Sequence, residues 1–403
     1  MTTQRLFAAA GTSIADHRAE FGELPAVARD DLVRCLDEAG LTGRGGAGFP
    51  TGRKVDSLSG QQPVVIGNGA EGEPLSAKDV TLLARAPHLV LDGLTLTANA
   101  LAAQSVFLYV PPQASAVVQA ALRERQQTAA DRCRIAVVEA PDDFLAGEES
   151  AVVSRIEGGP ALPRDRTALP TRSGVRGRPT LVSNVETFAH VALIARYGPD
   201  WFRSVGDSTQ PGTMLATVSA TFMPTTVVEV PTGIALGDLV ARTESTDPRR
   251  LQALLVGGYH GSWIPADVVG QARLSKNGLA AFGAAPGAGV IHLLGSDECG
   301  LARTAEVAAY LADQSAQQCG PCRYGLPKLS MLLDELAFGE VDDDLVGELH
   351  RMVGLVDGRG SCRHPDGTAR FVRSALAVFE SDIDHHRRGC CQAARDIAVG
   401  EAR

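Results

Sequence analysis

Gly43-Arg44-Gly45-Gly46-Ala47-Gly48-Phe49-Pro50-Thr51-Gly52-Arg53-Lys54 is the densest chemical signal in the chain. Glycines without side chains let backbone N–H groups approach a ligand closely and reach positive φ, as an anion-binding nest requires. Arg44 and Lys54 would supply positive charge to a phosphate. A flexible loop would have a similar composition, so the run alone leaves both readings open. It is not a Walker motif, because neither Ser nor Thr follows Lys54. Nor is it the dinucleotide GxGxxG, because a helical pattern rather than a first strand precedes it.

Outward from this run the chain alternates. An amphipathic helix is expected over Leu24–Ala39, a strand at Pro63–Ile66, a helix from Pro87 to Ala103 and a strand at Ser105–Val110. A helix over Ala114–Gln126, a strand at Cys133–Val138 and a helix over Val185–Tyr197 follow. Such alternation points to a layered α/β domain with a mainly parallel sheet, placed at residues 1–205. Short strands around Met214–Ala220, Thr226–Val230 and Leu251–Val256, with a short helix at Leu236–Arg242, suggest a small β-grasp-like domain at 206–292. From there to residue 403 the pattern is helical, with four candidate segments.

Composition excludes several classes. The 403 residues are 44% hydrophobic and 21% charged, as in ordinary globular proteins. A net charge of −9 argues against nucleic acid or an anionic membrane as partner. No stretch reads as a membrane span, and the first twenty residues do not read as a signal peptide, so the expected location is the cytoplasm. Of the eight cysteines, Cys35 and Cys133 stand alone and read as buried structural thiols; the other six follow residue 298.

Three further blocks join the glycine run: Gly67-Asn68-Gly69-Ala70-Glu71-Gly72-Glu73-Pro74 after the strand Val64–Ile66, then Gly147-Glu148-Glu149-Ser150, then Ser183-Asn184-Val185-Glu186-Thr187. In this order and spacing the four blocks resemble the flavin- and NADH-binding subunit of bacterial NADH–quinone oxidoreductase (complex I) and its soluble hydrogenase and formate dehydrogenase relatives. The resemblance runs from about residue 38 to about residue 375. It implies an FMN-binding α/β domain, a soluble-ligand-binding β-grasp domain and a helical bundle carrying an iron–sulfur cluster. Gly43, Arg44, Gly45 and Gly46 would then wrap the flavin and its ribityl phosphate, with Lys54 pairing to charge. Asn68 and Asn184 suit flavin edges and ribityl hydroxyls, since their amides both donate and accept. Glu71 would remain as a carboxylate near the flavin. Gly147, Glu148 and Glu149 would lie near the nicotinamide and its ribose, Phe49 would stack on the adenine of NADH, and Arg166 would keep a positive charge. The bland readings are a core aromatic at Phe49 and a helix start at Glu148-Glu149.

The sequence departs from the family pattern in places. Ala70 replaces an aspartate, Phe144 a tyrosine, and Leu169 a second adenine-stacking ring. In Ser315-Ala316-Gln317-Gln318-Cys319-Gly320-Pro321-Cys322-Arg323, Ala316 stands where the first cluster ligand belongs. Cys319, Cys322 and Cys362 remain, with His364, Cys390 or Cys391 as substitute ligands. A [4Fe–4S] or [3Fe–4S] cluster, a structural zinc and unligated thiols all stay open. Cys299 is expected to lie too far away, and His385-His386 reads as a solvated pair. The resemblance implies NAD(P)H delivering hydride to FMN and single electrons leaving through the cluster. The electron partner would be a separate small iron–sulfur protein or ferredoxin. The rival readings are a module of the same fold that has lost NADH oxidation, and electron flow in the reverse direction.

Overall fold

The computed structural model describes residues 4–128, 133–165, 168–221, 223–242 and 251–393. The chain divides into two compact units: residues 1–216 with 227–233, and residues 217–226 with 234–403.

The first unit is built on a four-stranded sheet. Its strands are β1 (Val64–Asn68), β2 (Ser105–Val110), β3 (Ile135–Glu139) and β4 (Thr180–Asn184), in the order β3-β2-β1-β4. Every pair is parallel. Such sheets are covered on both faces, which is why Val64, Val65 and Ile66 form an unbroken buried run rather than an alternation. From β1 the chain steps to β2 and β3, then crosses back to place β4 on the other side of β1. This reversal is a topological switch point, where the crevice outside the strands' carboxyl ends takes ligands.

Helix Pro87–Ala100 is buried on nearly every side and packs on helix Val185–Arg203. Asp92, an interruption of the apolar run in the sequence, is its buried hub. Its Oδ1 receives Arg125 at 2.8 Å and its Oδ2 receives His17 Nε2 at 2.7 Å, and Arg196 closes the cluster. Together these partners outweigh burial and hold Asp92 far below the ordinary carboxylate range. Gly93 allows the close helix crossing, since a Cβ there would lie 1.8 Å from the Phe188 carbonyl oxygen.

Several expected bounds move for local reasons. The helix expected from Leu24 starts at Arg29, with Asp30 and Asp31 in its first turn, and Gly40 closes it at φ 68°. Helix Val185–Arg203 continues past Tyr197 across a break at Gly198, φ 82°, followed by Pro199. Cys35 and Cys133 are half-buried at the margin of the core rather than fully enclosed. The first unit closes on Glu229, whose Oε2 accepts the amides of Arg5 (2.8 Å) and Leu6 (2.9 Å) and whose Oε1 accepts Thr213 Oγ1 (2.7 Å).

Strands β5 (Thr213–Ala220), β6 (Met223–Pro231), β7 (Leu251–Val256), β8 (Ser262–Pro265) and β9 (Val290–Gly295) make a mixed sheet in the order β6-β5-β9-β7-β8. β5 runs parallel to β9, and β7 runs antiparallel to β8 and β9. Helix Leu236–Ala241 lies in the connection after β6. After β9 the described residues form five α-helices where four segments were expected: Gly300–Asp313, Leu326–Phe338, Asp343–Val356, His364–Val378 and Glu380–Arg387.

Candidate cofactor site

The glycine run forms a loop closed at its base by a bridge between Thr42 and Pro50 and by the Gly43 amide donating to the Phe49 carbonyl at 2.9 Å. Gly45 to Phe49 are exposed, Gly46 has φ 103° and Gly48 φ 61°. A Cβ on Gly45 would meet the Asn184 side chain at 3.3 Å, so the loop sits directly on the carboxyl end of β4. Asn68 and Asn184 end the neighbouring strands β1 and β4 and are direct partners in register. The glycine loop and both asparagines therefore meet at the switch point.

The expected residues divide into those facing this crevice and those that support it. Lys54 Nζ donates to the Val182 carbonyl at 2.7 Å and pairs with Glu149, both side chains partly accessible. The candidate phosphate cation and one of the nicotinamide-side acids are thus neighbours. Asn68 Nδ2 donates to the Gly147 carbonyl at 2.9 Å, which holds the Gly147-Glu148-Glu149 turn against β1. Glu148 caps helix Glu149–Ile156, its Oε2 accepting from Ser150 N at 2.8 Å. Phe49 is 53% exposed, which removes the core-aromatic reading. Arg166 lies outside the described residues.

Two expectations are corrected. Arg44 does not offer its charge to a ligand: it is buried, its Nη2 donates to the Thr213 carbonyl at 3.0 Å, and its amide donates to Thr187 Oγ1 at 2.9 Å. Glu71 is a helix cap rather than a flavin-side acid. Its carboxylate accepts Ser76 Oγ (2.6 Å) and the amides of Asp79 and Val80 (both 3.0 Å) ahead of helix Lys78–Arg85.

Beneath the crevice lies a charge cluster that sequence reasoning passed over. Lys78 Nζ contacts Asp79 Oδ1 at 2.6 Å, Glu186 Oε2 at 3.0 Å and Asn184 Oδ1 at 3.0 Å, and all three charged groups are buried. Burial opposes the Lys78 charge, but its two carboxylates outweigh that and hold the ammonium above its usual range. Burial likewise opposes the Glu186 carboxylate, yet Lys78, His190 and Arg44 hold it down to about 2, whereas burial pushes Asp79 up to about 7. Asn184 also donates to Asp79 Oδ2 at 2.7 Å and to the Asn68 carbonyl at 3.1 Å. The lysine thereby fixes the orientation of a crevice residue. The only sequence signal was the Lys78-Asp79 pair opening a helix.

In the second unit, Cys319 and Cys322 are neighbours at a π turn, Pro321–Gly325, that leads into helix Leu326–Phe338. Burial, then the Cys319 and Cys362 thiols, push Cys322 up to about 12. A cation bound there would offset that and hold Cys322 as a thiolate. His364 is not the missing ligand. Its Nε2 donates to the Leu311 carbonyl at 2.8 Å and its Nδ1 faces His260 Nε2 at 3.0 Å, so both ring nitrogens are committed.

Residues 36–193 match the Nuo51 FMN-binding domain, and residues 302–386 match the NADH-ubiquinone oxidoreductase-F iron-sulfur binding region. The chain thus carries both domains and resembles the F subunits of NADH-quinone oxidoreductases. It is 28% identical to the second F-type chain of NADH-quinone oxidoreductase in Rhizobium meliloti (strain 1021), over 89% of each chain. It is 29% identical to the corresponding F-type chain of Streptomyces coelicolor, over 91% of this chain and 85% of that one. An NAD+-reducing [NiFe]-hydrogenase in the H2-reduced state superposes with a TM-score of 0.81 at 29% identity. The match covers 88% of this chain and 62% of the hydrogenase chain, so this chain spans under two thirds of that structure.

The residues present fit the family's flavin. Glycine backbone without side chains, two strand-end amides and an accessible lysine converge at one crevice. For an iron–sulfur cluster the structure brings the Cys322 thiol near those of Cys319 and Cys362, three of the four donors a [4Fe–4S] cluster takes, and Ala316 offers none.

The His260–His364 pair carries a pH prediction. Burial holds both rings neutral, His260 well below its usual value with the His364 and Arg370 charges adding to the effect. A depressed folded pKa contributes stability that is present above the unfolded value of about 6.5 and lost as pH falls below it. Stability should fall by up to about 1.4 kcal/mol per pH unit for each ring below that point. Denaturant unfolding at about pH 7.5 and 5.5 should show a smaller drop for His260→Gln than for the native chain. Equal drops would exclude the pair as the source.

Proposed function

We propose that the chain is the electron-entry flavoprotein of a larger assembly, passing electrons from NADH through FMN to the iron–sulfur cluster and on to a partner. The carrying observation is the glycine loop seated at the β1/β4 switch point beside Asn68 and Asn184, in a chain that also bears the family's iron–sulfur region. FMN, when bound, accepts hydride as an electron pair and releases single electrons. The glycine loop and Lys54 would hold its phosphate and Asn68 a polar edge, while Asn184, its amide committed to Lys78, Asp79, the Asn68 carbonyl and the Glu186 amide, would shape the crevice floor. Glu149 and exposed Phe49 would receive the dinucleotide. Leu169, 59% exposed, offers surface without stacking.

The partner we infer is a small iron–sulfur protein or ferredoxin, and the location the cytoplasm. Among the described residues no helix is long and apolar enough to cross a membrane. The mixed sheet with parallel β5 and β9 supports the β-grasp reading of residues 206–292, and with it three functional divisions, 1–205, 206–292 and 293–403.

Anaerobically purified protein should show flavin bands that bleach on adding NADH. Bands that persist would leave the flavin and remove NADH as donor. In steady-state assays with an artificial acceptor, Phe49→Ala should raise KM for NADH about five- to tenfold at near-constant kcat, as loss of roughly 1 kcal/mol of stacking requires. An unchanged KM would place the adenine elsewhere.

A further inference from the structure

We propose that Cys299, His386 and Cys391 form a zinc(II) site separate from the three cysteines of the iron–sulfur region. Cys299 caps helix Gly300–Asp313, its Sγ accepting from the Ala302 amide at 3.5 Å. His386 lies in the last turn of helix Glu380–Arg387, and Cys391 follows shortly after it. One ligand atom from each of the three lies within 4.8 Å of the others, and all three side chains are half-buried. Cys299 and Cys391, 92 residues apart in the chain, are thus brought together by the fold alone.

The spacing suits zinc. Zinc holds thiolate sulfur at about 2.3 Å and imidazole nitrogen at about 2.0–2.1 Å, so in a tetrahedron the two atoms sit roughly 3.5 Å apart. Cys299 Sγ and His386 Nε2 are 3.6 Å apart before any ion enters. Two thiolates and a neutral imidazole neutralise a divalent ion, which suits a half-buried position. The soft donors select zinc over magnesium or calcium. Cys390 does not join the set, since its Sγ donates to the His385 carbonyl at 3.3 Å. Water takes the fourth position. The site would pin the segment after helix Glu380–Arg387 to the start of helix Gly300–Asp313. It also engages Cys391, a candidate substitute for the missing cluster ligand.

Metal analysis of the anaerobically purified full chain tests this. One zinc per chain is expected, with zinc content falling at least tenfold in Cys299→Ser/Cys391→Ser while iron content is unchanged. Cys319→Ala/Cys322→Ala should do the reverse. Should the first variant fail to fold, native protein can be alkylated with and without a zinc chelator. Zinc is then expected to protect Cys299 and Cys391. Zinc retained in the Cys299→Ser/Cys391→Ser variant, no protection of these thiols, or a Cys299–Cys391 disulfide found by mass spectrometry would overturn the assignment.

Discussion

Lys78→Met should destabilise the first unit by roughly 3–5 kcal/mol, the cost of leaving buried charges without their partner. The side chain is almost inaccessible and stands between Asp79 at 2.6 Å and Glu186 at 3.0 Å. Removing its ammonium leaves the Glu186 carboxylate in a site that water does not reach, beside Asp79, which burial already pushes up to about 7. Arg44 Nε, 4.0 Å from Glu186, is too distant to replace it. Methionine fills the volume, so little of the effect would come from a cavity. The loss should lower the melting temperature by about 10 °C or more for a unit of this size. Flavin content should fall with it, because Asn184 loses a donor that orients its amide. Thermal unfolding and flavin-to-protein ratios measure both effects. A destabilisation below about 1 kcal/mol would show that Glu186 is not held as a charge by Lys78.

Gly93→Ala carries the second large effect, and its sign runs against helix propensity. Within a helix alanine is favoured over glycine by about 1 kcal/mol. Here the new Cβ would lie 1.8 Å from the Phe188 carbonyl oxygen and 2.4 Å from its carbon. Those atoms are backbone, so helices Pro87–Ala100 and Val185–Arg203 would have to move apart. Ordinary overpacking costs about 1–3 kcal/mol, and a backbone obstacle sets that as the floor. Asp92, next in the chain, would be displaced from Arg125, Arg196 and His17 by the same movement. The expected result is a chain that unfolds at far lower denaturant or fails to accumulate in soluble form. Stability within about 0.5 kcal/mol of the native chain would mean that the helices do not cross this closely.

Much of this architecture was legible in the sequence because its signals are local. The loop at Gly43–Lys54 and the strand running into Asn68 leave patterns within a few residues of themselves, whereas the short strand Thr180–Asn184 leaves none that stands out. Strand β9, Val290–Gly295, was passed over because a six-residue apolar run reads equally as strand or buried helix. The roles of single side chains were less legible, since they depend on partners far along the chain. Arg44 resembles a phosphate ligand until Thr213, 169 residues away, is found accepting its guanidinium. Glu71 resembles a flavin-side acid until the amides of Asp79 and Val80 claim it. His364 resembles a cluster ligand until Leu311 and His260 occupy both nitrogens. Cys299 was set aside on its distance from Cys319, a measure blind to His386 and Cys391. Each error replaced a three-dimensional neighbour with a sequence neighbour.

The hold of Glu229 on Arg5, Leu6 and Thr213 bears on how such a flavin module can be passed between proteins. The alternation of strands and helices is finished by residue 205, yet the carboxylate that ties down the amino-terminal segment comes two dozen residues later, on β6. A gene fusion or recombination event joining foreign sequence at residue 205 would discard that tie. It would also discard the Leu215 amide that Glu186 accepts at 2.9 Å. The portable cassette is therefore longer than the α/β pattern, and a functional graft has to carry the β5–β6 hairpin with it.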